Sequence, residues 1–471
     1  MPAPGELLDA LEREAARSLS LWRRLTGPQL LVGSFLVLVA LGTLALLTLP
    51  GLYTGERLSF IDALFTATSA VCVTGLIVVD TATYFTTFGQ AVVLGMIQLG
   101  GLGILTFTTV VILLLGGRIT LRSQAVVGAG GEILPQIDAR RLVWAILRYT
   151  LVIEASGAFV LWLAWGRDLG TLGAIWPAVF HAISAFCNAG FSIFSDNLVG
   201  LAGRPLTLTV IMALIVIGGI GFLVLEELVL WRRGRARHRL SLHSRLALLT
   251  TGILIVVGAA LFVAFEWTNA LAPFPWYVKP FEALMLSVTP RTAGYNTVDY
   301  AELTSASLVL TMLLMLVGGS PGSTAGGLKT TTVAALAVLA LARIRGRTTA
   351  AAFGRTIPDT TIQRAIGLVV FVVALLASVL LVLQVTELGG IPFPLAEGQF
   401  LQLAFEVVSA FDTVGLSMGI TPDLSPAGKL LIAFLMFIGR VGPLTLAASM
   451  TVAAERARVQ YRYASEDVII G

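Results

Sequence analysis

Histidine and cysteine are almost missing from this sequence: three and two residues in a chain of 471. His181, His238 and His243 are dispersed, so neither a metal cluster nor a catalytic triad can be assembled from them. Cys72 and Cys187 stand at matching places, each three residues before a glycine in two similar stretches. That reads as small packing residues rather than a disulfide or a metal site. Charge is equally scarce: 12% of residues are Asp, Glu, Lys or Arg, 56% are hydrophobic, and the mean hydropathy is +0.90. Soluble domains carry about 25% charged residues, so a soluble protein of this composition would have nothing to cover its surface with. A secretory signal pattern is lacking too, because acids and arginines are scattered through the first 26 residues. There the leucines of LLDALEREAARSLSLWRRL have helical spacing, which reads as an amphipathic helix lying on an inner membrane surface.

What the chain has in abundance is apolar runs of membrane length. Crossing roughly 30 Å of hydrocarbon takes about 20 residues, and runs near 29–50, 88–115, 142–165, 206–230, 245–266, 305–342, 364–387 and 427–454 supply eight candidate spans. The 305–342 run is too long for one straight crossing, so something interrupts it. Most of the 31 lysines and arginines fall before residue 26, in 116–148, 231–245 and 341–364, and after 454. Short loops rich in Lys and Arg stay cytoplasmic, which puts both termini inside a prokaryotic inner membrane. Arg57, Arg167, Arg204, Lys279, Arg291 and Lys429 then fall on the outer side. Topology accounts for the net charge of +4, and nucleic-acid binding is a poor reading of it.

Four short stretches repeat one design: an apolar half-helix, a small residue two before a glycine, then a carboxylate. They are SAVCVTGLIVVD, SAFCNAGFSIFSD, SVTPRTAGYNTVD and SAFDTVGLSMGITPD, with glycines at Gly75, Gly190, Gly294 and Gly415. Each lies between two apolar runs, so each reads as a re-entrant loop. Half-helices are predicted over 59–72, 176–187, 277–288 and 397–411. Phe65, Phe180 and Phe405 each precede a serine by four residues (Ser69, Ser184 and Ser409), with the glycine six further on. The third copy is offset, with Ser287 seven before Gly294 and Pro290 stopping its helix early. Backbone that is not helical at membrane depth is tolerated only where it lines water or is buried in protein. The strips Val73-Thr74-Gly75, Asn188-Ala189-Gly190, Thr292-Ala293-Gly294 and Thr413-Val414-Gly415 carry small or neutral side chains, so their candidate ligands are backbone carbonyls. Rings of carbonyls replace the hydration shell of a large monovalent cation such as K⁺, whereas Ca²⁺ or Mg²⁺ would call for carboxylates. Asp80, Asp196, Asp299 and Asp423 stand beyond the strips, where they would concentrate cations at an outer mouth.

These four stretches, with GGSPGSTAGGLKTTT and GRVGPLTLA, resemble the Trk/Ktr/HKT superfamily of cation transporters over roughly residues 29–455, and best its Ktr branch, the membrane subunits of bacterial Ktr potassium uptake systems. The resemblance implies an all-α polytopic K⁺ pore of four non-identical M1–pore–M2 repeats around one axis, akin to potassium channels, with one filter glycine per repeat. It implies a homodimer seated on a cytosolic ring of RCK-type nucleotide-binding subunits, and it leaves open a stimulatory Na⁺. In plant relatives a serine in place of the first filter glycine goes with Na⁺ transport, so Gly75 favours K⁺. One departure is Asp412, where a small residue such as glycine is expected. It reads either as a carboxylate hydrogen-bonded behind the filter or as a local charge that tunes ion binding.

Gly318-Gly319-Ser320-Pro321-Gly322-Ser323-Thr324-Ala325-Gly326-Gly327 interrupts the 305–342 run. At about 1.5 Å per helical residue, counting from residues 305 and 427 puts Gly318 and Arg440 at one depth, below the filter. A guanidinium there costs about 2.5–3.5 kcal/mol even on the mild insertion scale, so it must face water or partners such as loop carbonyls. The expectation is a gate, with the loop crossing the ion path and Arg440 in or beside it. Lys329 is expected to snorkel to the inner surface, and Glu226 and Glu227 to be solvated or paired with nearby arginines. GSTAGGLKT looks like a phosphate loop, but Leu328 separates Gly327 from Lys329 and apolar runs flank it. The reading is therefore a transporter and not an enzyme, with no nucleotide site of its own. A Trk-type subunit is the nearest alternative. An ion-coupled cotransporter would need midplane carboxylates, and none is evident between filter and loop. The expected partition is 1–28 an amphipathic segment, pore repeats at 29–116, 142–231, 245–343 (with loop 318–327) and 364–455, and a tail at 456–471.

Overall fold

Among the described residues, four helices are long and apolar enough to cross a membrane: Pro28–Thr48, Trp144–Trp165, Leu242–Glu266 and Asp359–Leu388. They come from a computed structural model that describes residues 27–102, 139–232, 240–396, 398–443 and 445–446. The amphipathic segment expected before residue 26, most of the basic loop 116–141, His238 and the tail 456–471 lie outside the described residues. Each long helix is followed by a short one, Phe60–Val71, Ile175–Phe186, Lys279–Val288 and Gln399–Phe411. A strip and a turn lead from each short helix into a further helix: Thr87–Leu102, Pro205–Ile220, Ser305–Met315 and Pro426–Val441.

The layering is inverted relative to a soluble protein. The long helices turn leucines and valines outward: Leu41, Leu151, Val256, Val370, Leu381 and Val385 are all more than half exposed. The short helices are the interior, with Phe65, Phe180 and Phe405 at most 1% exposed. Between hydrocarbon-facing helices there is no water to expel, so association rests on close packing and hydrogen bonds. Helix starts are set by local chemistry. Ser59, Ser241, Thr304 and Ser425 accept the N–H three residues on, and Pro205 and Pro426 open their helices, where a missing N–H is harmless.

Among the described residues the 305–342 run is interrupted as expected, and two further runs break where no interruption is expected. The 206–230 run breaks at Gly221 (φ 96°), and Pro205–Ile220 and Phe222–Arg232 meet at 99°. Ser305–Met315 and Thr330–Ile344 flank the glycine-rich loop. Pro426–Val441 ends at Gly442 (φ 89°). Periodicity cannot reveal the first and last of these breaks, because both segments stay apolar throughout. A small antiparallel hairpin, β1 (Ala351–Ala352) with β2 (Arg355–Thr356), follows Thr330–Ile344.

The first and fourth quarters are tied by an ion pair, Lys429 Nζ to Asp62 Oδ1 at 2.9 Å, between side chains 15% and 25% exposed. Ser59 Oγ holds the other Asp62 oxygen. We expect Asp62→Asn and Lys429→Met to lower thermal stability in detergent non-additively, with a coupling of about 0.5–1 kcal/mol. Additive losses would mean the pair is incidental.

Candidate ion filter and gate

The four strips form a closed ring. A methyl carbon built on Gly75 would lie 2.5 Å from the Ala189 carbonyl oxygen, and one on Gly190 would lie 2.9 Å from that of Ala293. One on Gly294 would lie 2.5 Å from the Val414 oxygen, and one on Gly415 would lie 2.1 Å from the Thr74 oxygen, which returns to the start. The sequence order of the quarters is thus their order around the ring. Each glycine has positive φ (97°, 69°, 73° and 90°), and so does the first residue of each strip: Val73 57°, Asn188 59°, Thr292 70°, Thr413 51°. Glycine adopts this freely, but a β-branched residue there is strained by about 1–3 kcal/mol.

What holds that strain is a set of bonds from each short helix to its strip. The N–H groups of Thr74, Ala189 and Val414 donate to the carbonyls of Ser69, Ser184 and Ser409, each at 2.8 Å. The Ser69 and Ser409 hydroxyls accept from the Gly75 and Gly415 N–H groups at 3.1 Å, and Ser184 donates to the Phe191 carbonyl at 2.8 Å. In the third strip Ser287 does not do this. It bonds the Leu254 and Ile255 carbonyls, and Thr289 takes over, receiving the Ala293 N–H at its carbonyl (2.9 Å) and donating its hydroxyl to the Tyr295 carbonyl. In the orientation that gives both amide atoms partners, Asn188 donates to the Ala185 and Ile215 carbonyls. Each short helix points its C-terminus at a strip, which places about half a negative charge per helix beside the ring.

Glycines in the following helices let them lie against those C-termini. Methyl carbons built on Gly100, Gly218 and Gly439 would sit 1.9, 2.0 and 1.6 Å from the carbonyl oxygens of Val71, Phe186 and Phe411. Gly439→Ala should therefore force the helix off its seat, with a loss of about 1–3 kcal/mol or more. The check is the yield of monodisperse protein in detergent, and a wild-type yield would show that the contact can relax.

Four residues occupy the station three before each glycine: Cys72, Cys187, Arg291 and Asp412. All are buried, and the two cysteines are free thiols. Arg291 does not face the outer solution as its loop position suggests. It is 5% exposed and donates to the Thr251 hydroxyl at 3.2 Å. Asp412 lies wholly buried between filter and loop, the region where no carboxylate is evident from sequence. Its Oδ1 accepts the Leu328 N–H at 3.2 Å.

The loop 318–327 is strapped on every side. The Ser320 N–H donates to the Gly219 carbonyl (2.9 Å), the Thr324 N–H to the Gly218 carbonyl (3.3 Å) and the Phe222 N–H to the Gly322 carbonyl (3.0 Å). These bonds seat the loop in the break at Gly221, where a methyl carbon would meet the Pro321 oxygen at 2.8 Å. Its flanks close on each other through Gly318 N–H to Leu328 carbonyl (2.9 Å) and Thr330 N–H to Gly319 carbonyl (3.0 Å). Arg440 is 2% exposed and donates to the Thr324 carbonyl, to that of Gly100 at 2.6 Å and to that of Gly101 at 3.5 Å. Lys329 does not reach for a surface. It folds back to donate to the Ala325 and Gly326 carbonyls at 2.8 and 3.3 Å, because free carbonyls within reach of its ammonium outcompete a longer path to water.

The four carboxylates sit in the turns after the strips, and three of them do local work. Asp80 caps the Ala82 N–H (2.9 Å) and takes the Thr83 hydroxyl, Asp196 caps Gly200 (2.7 Å), and Asp299 caps Ala301 (2.9 Å). Asp196, Asp299 and Asp423 remain exposed. His181 is a satisfied core residue, between the Pro177 carbonyl (2.8 Å) and the Ser192 hydroxyl (2.9 Å) and stacked on Phe194. Among the described residues there is no His, Cys, Asp or Glu cluster that could hold a metal. Among the described residues, Glu226 accepts the Tyr149 hydroxyl and Glu227 accepts those of Ser241 and Ser244.

Residues 26–460 match the family described as TrkH, cation transport protein. This chain belongs to the TrkH cation transport family. Among its relatives, the potassium/sodium uptake protein NtpJ of Enterococcus hirae is 40% identical over 95% of this chain and 98% of its own length. The Ktr system potassium uptake protein B of Bacillus subtilis is 38% identical over 96% and 98%. The crystal structure of the potassium transporter TrkH from Vibrio parahaemolyticus shares the fold, with a TM-score of 0.70 at 19% identity, covering 90% of this chain and 84% of that one.

Sequence reasoning missed Gly100, Gly101, Gly218, Gly221, Gly439 and Thr289 in this TrkH-family chain. The glycines carried a signal that was available. Gly100, Gly218 and Gly439 each follow a strip glycine at a similar distance, inside an otherwise apolar run.

Proposed function

We propose that this chain is the K⁺-conducting membrane subunit of a Ktr-type uptake system. Eight spans in four quarters would enclose the ring, both termini would be cytoplasmic, and the first residue, middle residue and glycine of each strip would strip water from K⁺. The observation that carries this reading is the ring itself: four glycine strips from one chain, each in backbone contact with the next. The 38% identity to a Ktr system potassium uptake protein B over nearly the whole of both chains supports it.

The loop 318–327 with Arg440 is the gate in this reading. It lies across the inner side of the ring, pinned by two cations through its own carbonyls. An inside-negative potential contributes about 2.3 kcal/mol per charge per 100 mV, so uptake needs no ATP in the transport step. Asp196, Asp299 and Asp423 would raise the local cation concentration at the mouth. A homodimer on a cytosolic ring of nucleotide-binding subunits is the assembly this reading implies, and Na⁺ is a candidate second ion, since a relative 40% identical is named a potassium/sodium uptake protein.

The test is rubidium and sodium uptake by a bacterium deficient in K⁺ transport, expressing this chain with and without a cytosolic regulatory ring. Saturable rubidium uptake that restores growth at low K⁺ is expected. A chain that reaches the membrane yet moves no rubidium with either arrangement would overturn the reading.

A further inference from the structure

Asp412 departs from the small side chains expected at its station, and it is where the loop bears on the ring. Its Oδ1 accepts the Leu328 N–H at 3.2 Å, and the side chain is fully buried. The chain just before Leu328 is packed onto the same place. A methyl carbon built on Gly327 would lie 2.1 Å from Asp412 Oδ1, and one on Gly326 would lie 2.1 Å from the Thr413 hydroxyl oxygen. Thr413 is the strained first residue of the fourth strip, at φ 51°. Asp412 Oδ2 and Thr413 Oγ1 are buried without hydrogen-bond partners, so among the described residues the Leu328 bond is the one hydrogen bond these two side chains make. Cys72 and Cys187, at the matching station, are not among the groups bonded to the loop.

We propose that Asp412 is a positioning residue for ion selectivity: its carboxylate oxygen braces the fourth strip against the loop end at 326–328 and so holds Thr413 and the carbonyls after it in filter geometry. Every strip is bonded to its own short helix, and the second also reaches the Ile215 carbonyl of the next helix. The fourth has that support and a second one, supplied by the gate. The side chain's hydrogen-bond acceptor does this work, and an amide oxygen in the same place can replace it.

This inference rests on the K⁺ reading above, and its test separates the two. The purified full-length chain is placed in liposomes under an inside-negative potential, and rubidium and sodium uptake are measured on the same preparation. The ratio of the two rates is independent of how much protein has folded. Asp412→Ala is expected to lower the rubidium-to-sodium ratio about tenfold, the scale of one buried hydrogen bond lost. Asp412→Asn, which keeps an acceptor for the Leu328 N–H, is expected to stay within about twofold of wild type. An unchanged ratio in Asp412→Ala, with wild-type rubidium uptake intact, overturns the proposal alone. So does an Asp412→Asn ratio that falls as far as that of Asp412→Ala, since charge and not the acceptor would then matter. Wild-type vesicles that take up no rubidium, with or without an added cytosolic regulatory ring, would overturn the K⁺ reading, and this inference with it.

Discussion

Gly75→Ser is expected to weaken discrimination of K⁺ over Na⁺ by an order of magnitude or more, with the chain still inserted and folded. The reason is geometric. The Cβ that serine brings would sit 2.5 Å from the Ala189 carbonyl oxygen and 3.2 Å from the Gly190 Cα. Gly75 also holds φ at 97°, where a residue with a side chain is strained by about 1–3 kcal/mol. Relief on either count widens the ring between the first and second strips and turns the Ala189 carbonyl away. The distance between carbonyl oxygens and the ion sets how well they replace its hydration shell, so the ion that tolerates a looser cage gains. Rubidium and sodium uptake rates in matched cells measure the effect, and an unaltered preference would count against a carbonyl filter. Gly415→Ser is expected to be harsher, because its methyl carbon would lie 2.1 Å from the Thr74 oxygen and 2.9 Å from Gly75 Cα.

Arg440→Ala is expected to raise the initial rate of uptake about tenfold. The guanidinium donates to the loop at Thr324 and to the helix Thr87–Leu102 at Gly100 and Gly101, tying the loop to a distant quarter of the chain. A hydrogen bond from a charged donor contributes about 1.5–3 kcal/mol net, and about 1.4 kcal/mol shifts a closed-to-open ratio tenfold. Removing the side chain also removes a positive charge from beside the path. Both effects act in the same direction, which makes the sign firm. Unchanged or lower flux in protein of wild-type thermal stability would mean that Arg440 is a packing tie and that the loop is no gate. Arg440→Lys should not restore the closed state, because one ammonium on a flexible stem lacks the planar fork that reaches both sides.

The strips, the short helices before them and the break in the 305–342 run are readable from the sequence because each leaves a mark in residue type. Small residues two before a glycine mark backbone that must turn, and length against hydropathy marks a helix too short or too long to cross. The same reasoning fails where partners decide. Ser287 and Thr289 are both hydroxyls two residues apart, and only the rotation of Lys279–Val288 determines which of them faces the strip. Lys329 has the composition of a snorkelling residue, but its surroundings offer two unpaired carbonyls nearer than water. Gly221 lies in a run as apolar as any span, so nothing in its pattern announces a 99° bend. Val73, Thr292 and Thr413 argue against positive φ by their own preferences, and the bonds their strips make back to Ser69, Thr289 and Ser409 overrule them.

In a channel assembled from four copies of one subunit, a mutation at any filter position lands on every side of the aperture at once. Here the stations are encoded separately, so Cys72, Cys187, Arg291 and Asp412 can occupy equivalent places with three different chemistries, thiol, guanidinium and carboxylate. A single base change edits one wall and leaves its three counterparts intact. Selection can therefore alter the ring by quarter steps, and can keep a buried aspartate or arginine next to it that fourfold repetition would have made intolerable.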